Sequence, residues 1–317
     1  MMGHRVRPRF QLLSDDLVED CSTGLVWARD AGFFEFPLAW PEGLAAIADL
    51  NRNAHLGRTD WRMPNRNELR SLLDDSEKRP ALPAGHPFRR VFSGWHWTST
   101  TAAIAPAYAW YVHLEGARMF YGNKRDFYWL WPVCGSSAVL TGTGQLDCFD
   151  DQGRVVDCRG TGQDGELRAG RAWPQPRFSL EEDGVLDRLT GLIWQQQAGL
   201  DCASEDWSTA MATVTDLAQR TDRPWRLPTI RELESLVDAS RHSPALSANH
   251  LFTGVGDAYW SSTSSGFDPD WAFALYLTKG AIGVGYKQST GFSVWPVRSG
   301  HRSLTGVSLK KPWGGTP

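Results

Sequence analysis

At 317 residues the chain is too long for one ordinary domain and suits two of about 120 to 150 residues with a connector. Apolar content of 41% and charged content of 22% are those of a globular protein, and no apolar run approaches the roughly 20 residues that span a bilayer, so no membrane insertion is expected. The net charge is −3 and acids outnumber Lys and Arg in each half; the basic clusters, Arg5/Arg7/Arg9 and Arg302/Lys310/Lys311, are terminal and read as solvated tails, so no nucleic acid partner is expected.

The start, MMGHRVRPRFQ, is basic but lacks the apolar core of a signal peptide. A strand through TGLVW (residues 23–27) comes first. Next is a helix with Pro41 at its first position and Leu44, Ile47 and Ala48 on its buried side. Trp61-Arg62-Met63-Pro64 then leads into a second helix, capped by Asn65 with Glu68, whose apolar face is Leu69, Leu72 and Leu73. Strands WTST, AWYVHL and WLWPV complete the unit.

The same elements return in the same order, 163 to 167 residues later. CSTGLVW (21–27) reappears as RLTGLIW (188–194), and DWRMPNRNELRSLLD (60–74) as PWRLPTIRELESLVD (224–238). WTST, AWYVHL and WPVC reappear as WSST, AFALYL and WPVR. In the second copy Ser204 is the candidate helix cap. Glu205 and Asp206 would lie in the first turn, and Trp207, Met211, Val214 and Ala218 recur at helical spacing. Thr229 with Glu232 repeats the capping box, followed by Leu233, Leu236 and Val237. The chain therefore divides into a first module at 11–137, a Gly/Asp-rich connector at 138–175 with a turn at Asp151-Gln152-Gly153, a second module at 176–299 and a flexible tail at 300–317. The first and last strands of each module should pair.

At TGLIWQ, WRLPTIRELESLVD, YWSST and WPVR the sequence resembles the Lcl C-terminal domain family, named for the C-terminal part of the Legionella collagen-like protein. The segment GTGQDGELRAGRAWPQPRF looks like the lead-in that often precedes such a domain, so the resemblance covers residues 11 to 299. WRLPTIREL is also similar to the RLPTEAEWE stretch of the formylglycine-generating-enzyme fold. The resemblance implies an α+β fold of two tandem C-type-lectin-like modules, each a small twisted antiparallel sheet with two helices. It further implies adhesion to glycans or surface molecules, and with it an extracellular or cell-surface location. Acidic modules fit a sulfated ligand poorly.

The residues give no sign of catalysis. Arg62 and Arg226 read as structural arginines paired within their own modules, and Glu68 and Glu232 as caps. The eight His are dispersed, and no phosphate-binding or nucleophile motif occurs, so neither metal nor cofactor is expected. Asp268-Pro269-Asp270 supplies too few oxygens for calcium. Because the strands beside Cys21 and Cys134 should be neighbours, a Cys21–Cys134 disulfide is expected; Cys148 and Cys158 flank the connector turn and form a second candidate pair, leaving Cys202 unpaired. The formylglycine-generating enzyme needs a cysteine pair that neither module's C-terminal region contains.

Ligand contact is expected from the loops between the late strands: Tyr108, Tyr121, Asn123, Arg125, Phe127 and Tyr128 in the first module, and Phe267, Asp268, Asp270, Tyr286 and Lys287 in the second. Aromatic platforms beside amides and charges suit a sugar and suit a protein hot spot equally. The expected partner is a glycan or a cell-surface protein. The rival reading is a structural or assembly subunit that binds a protein partner, with the tail as one contact.

Overall fold

A computed structural model describes residues 8–200 and 205–300. The first module runs β1 (Phe10–Leu12), β2 (Leu17–Asp20), β3 (Leu25–Ala28), β4 (Leu38–Ala39), α1 (Trp40–Arg52), α2 (Arg66–Ser71), β5 (Trp95–Thr101), β6 (Tyr108–His113), β7 (Arg118–Asn123), β8 (Phe127–Tyr128) and β9 (Val133–Cys134). The connector holds β10 (Cys148–Phe149), β11 (Val155–Val156) and the short α3 (Asp164–Leu167). The second module runs β12 (Phe178–Glu181), β13 (Gly184–Asp187), β14 (Leu192–Trp194), α4 (Trp207–Thr221), α5 (Ile230–Ser235), β15 (Ala258–Ser264), β16 (Trp271–Tyr276), β17 (Ala281–Tyr286) and β18 (Val297–Ser299). The architecture is thus mixed α and β, dominated by small antiparallel sheets.

First and last strands pair as expected. Each module has a four-stranded sheet, β1-β2-β3-β9 in one and β12-β13-β14-β18 in the other, with Val26 opposite Cys134 and Ile193 opposite Arg298. The hairpins β1-β2 and β12-β13 extend these sheets beyond what the repeat signalled.

The two short helices start as the sequence requires. Asn65 accepts from Glu68 N at 2.9 Å while the Glu68 carboxylate accepts from Asn65 N, and Thr229 with Glu232 does the same. Pro41 occupies the first turn of α1, whose buried residues are Trp40, Gly43 and Ile47. The cap of α4 is Asp206, which accepts from Thr209 N at 2.9 Å, so Glu205 and Asp206 precede the first turn. Ser204, Cys202 and the tail from 301 lie outside the described residues. The buried stripe of α4 is Ala210, Val214 and Leu217, leaving Met211 exposed: the helix is rotated toward its smaller side chains.

Most of the tryptophan load is architectural. Three equivalent indoles in each module donate to main-chain oxygens: Trp40 to Thr98, Trp97 to Leu38 and Trp131 to Ala28 in the first, then Trp207 to Ser261, Trp260 to Glu205 and Trp295 to Gln195 in the second, all at 2.8–2.9 Å, and Trp61 adds a fourth in the first module by donating to His55 O at 3.0 Å. A large apolar body with one donor pins an irregular segment to a strand without leaving its N–H unpaired.

The late strands do not form one sheet per module. They join into a single six-stranded sheet, β15-β16-β17-β7-β6-β5, through antiparallel pairing of Ile282 with Met119. These two residues hold the same place in the repeat, so the modules meet about a pseudo-two-fold axis. One apolar core continues from Leu69, Leu72 and Met119 to Leu233, Leu236 and Ile282. Arg70 and Glu234, also equivalent in the repeat, face each other across the axis at 3.2 Å, and Arg231 reaches Asp75 at 2.8 Å. Positions that would repel in two identical copies have diverged to opposite charge.

The connector is clamped into this junction. Thr143 O accepts from Ala239 N at 2.9 Å, Asn67 donates to Thr141 O at 3.0 Å, and the Gln145 amide brackets Thr101 N and O. Cys148 and Cys158 form a disulfide across β10-β11. Gly153 ends the turn at φ +82°, where a Cβ would come within 2.8 Å of Ala107 N.

The Cys21–Cys134 disulfide does not form; both thiols are free. Cys21 follows β2 and Cys134 lies on β9, so β3 stands between them. Cys134 Sγ instead donates to Val26 O at 3.4 Å, and burial pushes its thiol up to about 12. In the second module the equivalent Arg298 pairs with Asp183.

Candidate functional site

Of the residues expected at the ligand surface of the second module, Phe267 and Asp268 line one cleft, and Asp270, Tyr286 and Lys287 do not line it. The loop after β15 carries Phe267, 40% exposed, and Asp268, whose carboxylate accepts from Asp270 N at 3.0 Å and holds the turn. Strand pairing sets Trp271 opposite Tyr286, with rings 5.7 Å apart and each somewhat over a third exposed. Lys287 N donates to Asp270 O at 2.9 Å; its ammonium donates to Ser264 Oγ at 2.8 Å and lies 4.4 Å from the Trp207 ring centre.

Gly116 and Arg118 of the first module close the other side of a cleft of about 310 Å³ lined by Phe267, Asp268, Trp271 and Val284. The Arg79 guanidinium lies over the Phe267 ring, 5.3 Å from its centre. The cleft therefore offers two aromatic faces, one carboxylate and one guanidinium. Its volume is at the small end of ligand pockets, enough for a sugar ring or a single side chain. Trp271, Arg118 and Ser265 were not singled out from the sequence. Alternation along DWAFALYL puts Trp271 on the same side as Phe273 and could have been read; Arg118 could not, because it arrives from the other module.

The first-module set is dispersed. Tyr108 and Tyr121 pack edge to face at 5.9 Å, and Tyr121 also packs on Trp110 at 5.3 Å, so both are partly buried supports. Asn123 Oδ1 accepts from Arg125 N, and Arg125 is tied to Asp151 of the connector at 2.9 Å. Phe127 stands 64% exposed on β8, whereas Tyr128 leans on Trp97 at 4.3 Å and Tyr111 at 5.1 Å. Tyr128 covers Gly122, where any Cβ would strike its ring.

Arg62 and Arg226 pair with Glu68 and Glu232 of their own modules. Three groups displaced in acidity are enclosed and do not converge. Burial holds His96 down to about 4, and Asp164, accepting from Thr100 and Thr143, is pushed up to about 6. Lys124, buried beneath the connector carbonyls of Phe149 and Asp150, falls to about 7. None of these lines the cleft. Among the described residues no group of three or more His, Cys, Asp or Glu could hold a metal ion, and no helix is long and apolar enough to cross a membrane.

Residues 16–134 and 183–298 each match the family model of the Lcl C-terminal domain. No curated protein and no solved structure matches the chain.

Proposed function

The chain belongs to the Lcl C-terminal domain family, and from that premise we propose a non-enzymatic binding protein that recognises a glycan or surface molecule through the loops after the late strands. The observation that carries this reading is the inter-module cleft, where Trp271 and Phe267 present half-exposed rings beside Asp268 and Arg118. A sugar stacks its apolar face on such rings and shares its hydroxyls with the charged pair. The reading takes each module as C-type-lectin-like, with its variable loops as the recognition surface, and takes the partner to be external. A catalytic role would need converging ionisable groups in a cleft; one carboxylate and one guanidinium support orientation of a ligand rather than proton transfer.

A protein partner is favoured by one further feature. Phe92 and Trp129 stack at 3.8 Å on the first module, and Phe92 and Trp95 remain 38% and 48% exposed. Exposed aromatic pairs are common interface anchors.

The test is a glycan-array screen of the full chain, with and without calcium. Selective binding lost in Trp271→Ala or Asp268→Asn supports the glycan reading. Silence from folded protein across the array overturns it and leaves the protein-partner reading.

A further inference from the structure

Between the connector and the second module lies a separate cavity of about 610 Å³ that shares no lining residue with the Trp271 cleft. Its walls are fixed by main-chain bonds: Gly142 N donates to Arg171 O at 3.0 Å, Arg171 N to Leu140 O at 2.8 Å, and Ala239 N to Thr143 O at 2.9 Å. The opening is held in shape before anything enters it.

Three exposed arginines, Arg168, Arg171 and Arg241, line this cavity. Arg168 Nε donates to Gly165 O at 3.0 Å and Arg171 Nη2 to Leu189 O at 3.3 Å, and among the described residues none of the three meets a carboxylate. Elsewhere in the second module Arg177, Arg226, Arg231 and Arg298 are each ion-paired. Asp238 is the one carboxylate in the lining; it is 7% exposed, and its Oδ1 already accepts from Ser240 N at 3.0 Å and Ser240 Oγ at 2.6 Å. In the neighbouring groove, on which Trp173 also borders, Arg9, Arg70 and Arg231 face Asp74, Asp75 and Glu234, and the charges balance. Here they do not. On a chain of net charge −3, a cavity with three guanidiniums against one committed carboxylate selects an anion.

The rest of the lining decides what kind of anion. Trp173 is its only aromatic residue, and that ring is a wall: its N–H donates to Gly142 O at 2.9 Å, and the Arg177 guanidinium lies 4.5 Å from its centre. A sugar finds no pair of open rings here of the kind the Trp271 cleft offers. Two carboxamides are present instead, Gln175 and Asn249, both exposed and without a side-chain partner among the described residues. The chain itself shows what a carboxamide does with extended backbone: Gln145 accepts from Thr101 N at 2.7 Å and donates to Thr101 O at 2.9 Å, the two bonds a neighbouring strand would make. Guanidiniums match carboxylates through paired N–H donors, so the set suits a main chain that carries acidic side chains.

We propose that this cavity takes an acidic peptide segment of a partner protein, with Arg168, Arg171 and Arg241 holding Asp or Glu carboxylates and Gln175 and Asn249 holding the main chain. The proposal does not depend on what the Trp271 cleft binds.

The test titrates the full chain, at about 0.15 M salt, with an end-blocked fluorescent oligoglutamate peptide and with the matching oligoglutamine. Oligoglutamate should bind and oligoglutamine should not. Arg171→Gln with Arg241→Gln should weaken binding by about tenfold or more, and Gln175→Ala by about threefold. The control, Arg159→Gln with Arg220→Gln, removes the same charge from exposed positions outside the cavity and should leave the affinity within about twofold. Unchanged tryptophan fluorescence shows that each variant is folded. No binding of oligoglutamate overturns the proposal, and so does an equal loss in the control, which would mean attraction by overall charge. A sulfated oligosaccharide that displaces the peptide and binds more tightly through the same arginines overturns it too, because the cavity is then a glycan site.

Discussion

Glu234→Leu probes the charge pair on which the module junction turns. Arg70 is 2% exposed and Glu234 10%, and the guanidinium also donates to Ala117 O at 2.6 Å and meets Asp75 at 3.2 Å. Removing one partner of a buried pair typically costs 3–5 kcal/mol, because the remaining charge stays desolvated. With Asp75 still in place the lower end applies, about 3 kcal/mol. Arg70→Leu should cost a similar amount. The double substitution leaves Asp75 to Arg231 and should cost no more than either single one, a coupling of about 3 kcal/mol. Urea unfolding followed by tryptophan fluorescence measures all four proteins at constant ionic strength. A junction this continuous also predicts one cooperative transition in the native chain and a second, earlier one in Glu234→Leu. Single-variant losses below about 1 kcal/mol that simply add would mean that water reaches the pair, and the argument from burial would fail.

Other outcomes follow from single sites. Asp164, raised to about 6, holds its proton in the folded state while an unfolded Asp loses it near 3.8; stability it contributes therefore falls between about pH 4 and 6 and is flat above, a slope that Asp164→Asn should remove. His96, lowered to about 4, acts in the opposite sense: its neutral form favours folding, and stability is lost as pH falls from 6.5 to 4, so His96→Gln should flatten acid unfolding curves over that range. Replacing Cys148 and Cys158 by Ser opens a loop of 10-residue separation and should lower stability by about 2–3 kcal/mol, read as faster amide exchange at residues 148–163. Thr229→Ala removes the acceptor for Glu232 N and should lower the unfolding midpoint by an amount equivalent to about 1 kcal/mol.

Several elements of the fold were legible because their causes are local. Asn65-x-x-Glu68 and Thr229-x-x-Glu232 close reciprocal bonds within four residues, and the Pro41 turn and the Asp151-Gln152-Gly153 hairpin likewise depend on their own backbone. The repeat itself fixed two copies of one element order and the pairing of first and last strands. Tertiary structure decided everything that joins one copy to the other. Nothing in RMFYGN or AIGVGY announces that β7 and β17 share hydrogen bonds, since an edge strand offers the same unpaired amides whatever its neighbour. Cys21 failed for a related reason: adjacency of strands is readable from the repeat, but which side of β3 a turn emerges on is set by the hairpin β2-β3. The loop aromatics of the first module were sound candidates by type, yet the connector and the Trp110 face absorbed Tyr108, Tyr121 and Arg125. Composition specifies which side chains can stack or pair; the order in which surfaces bury one another decides which are left to meet a ligand.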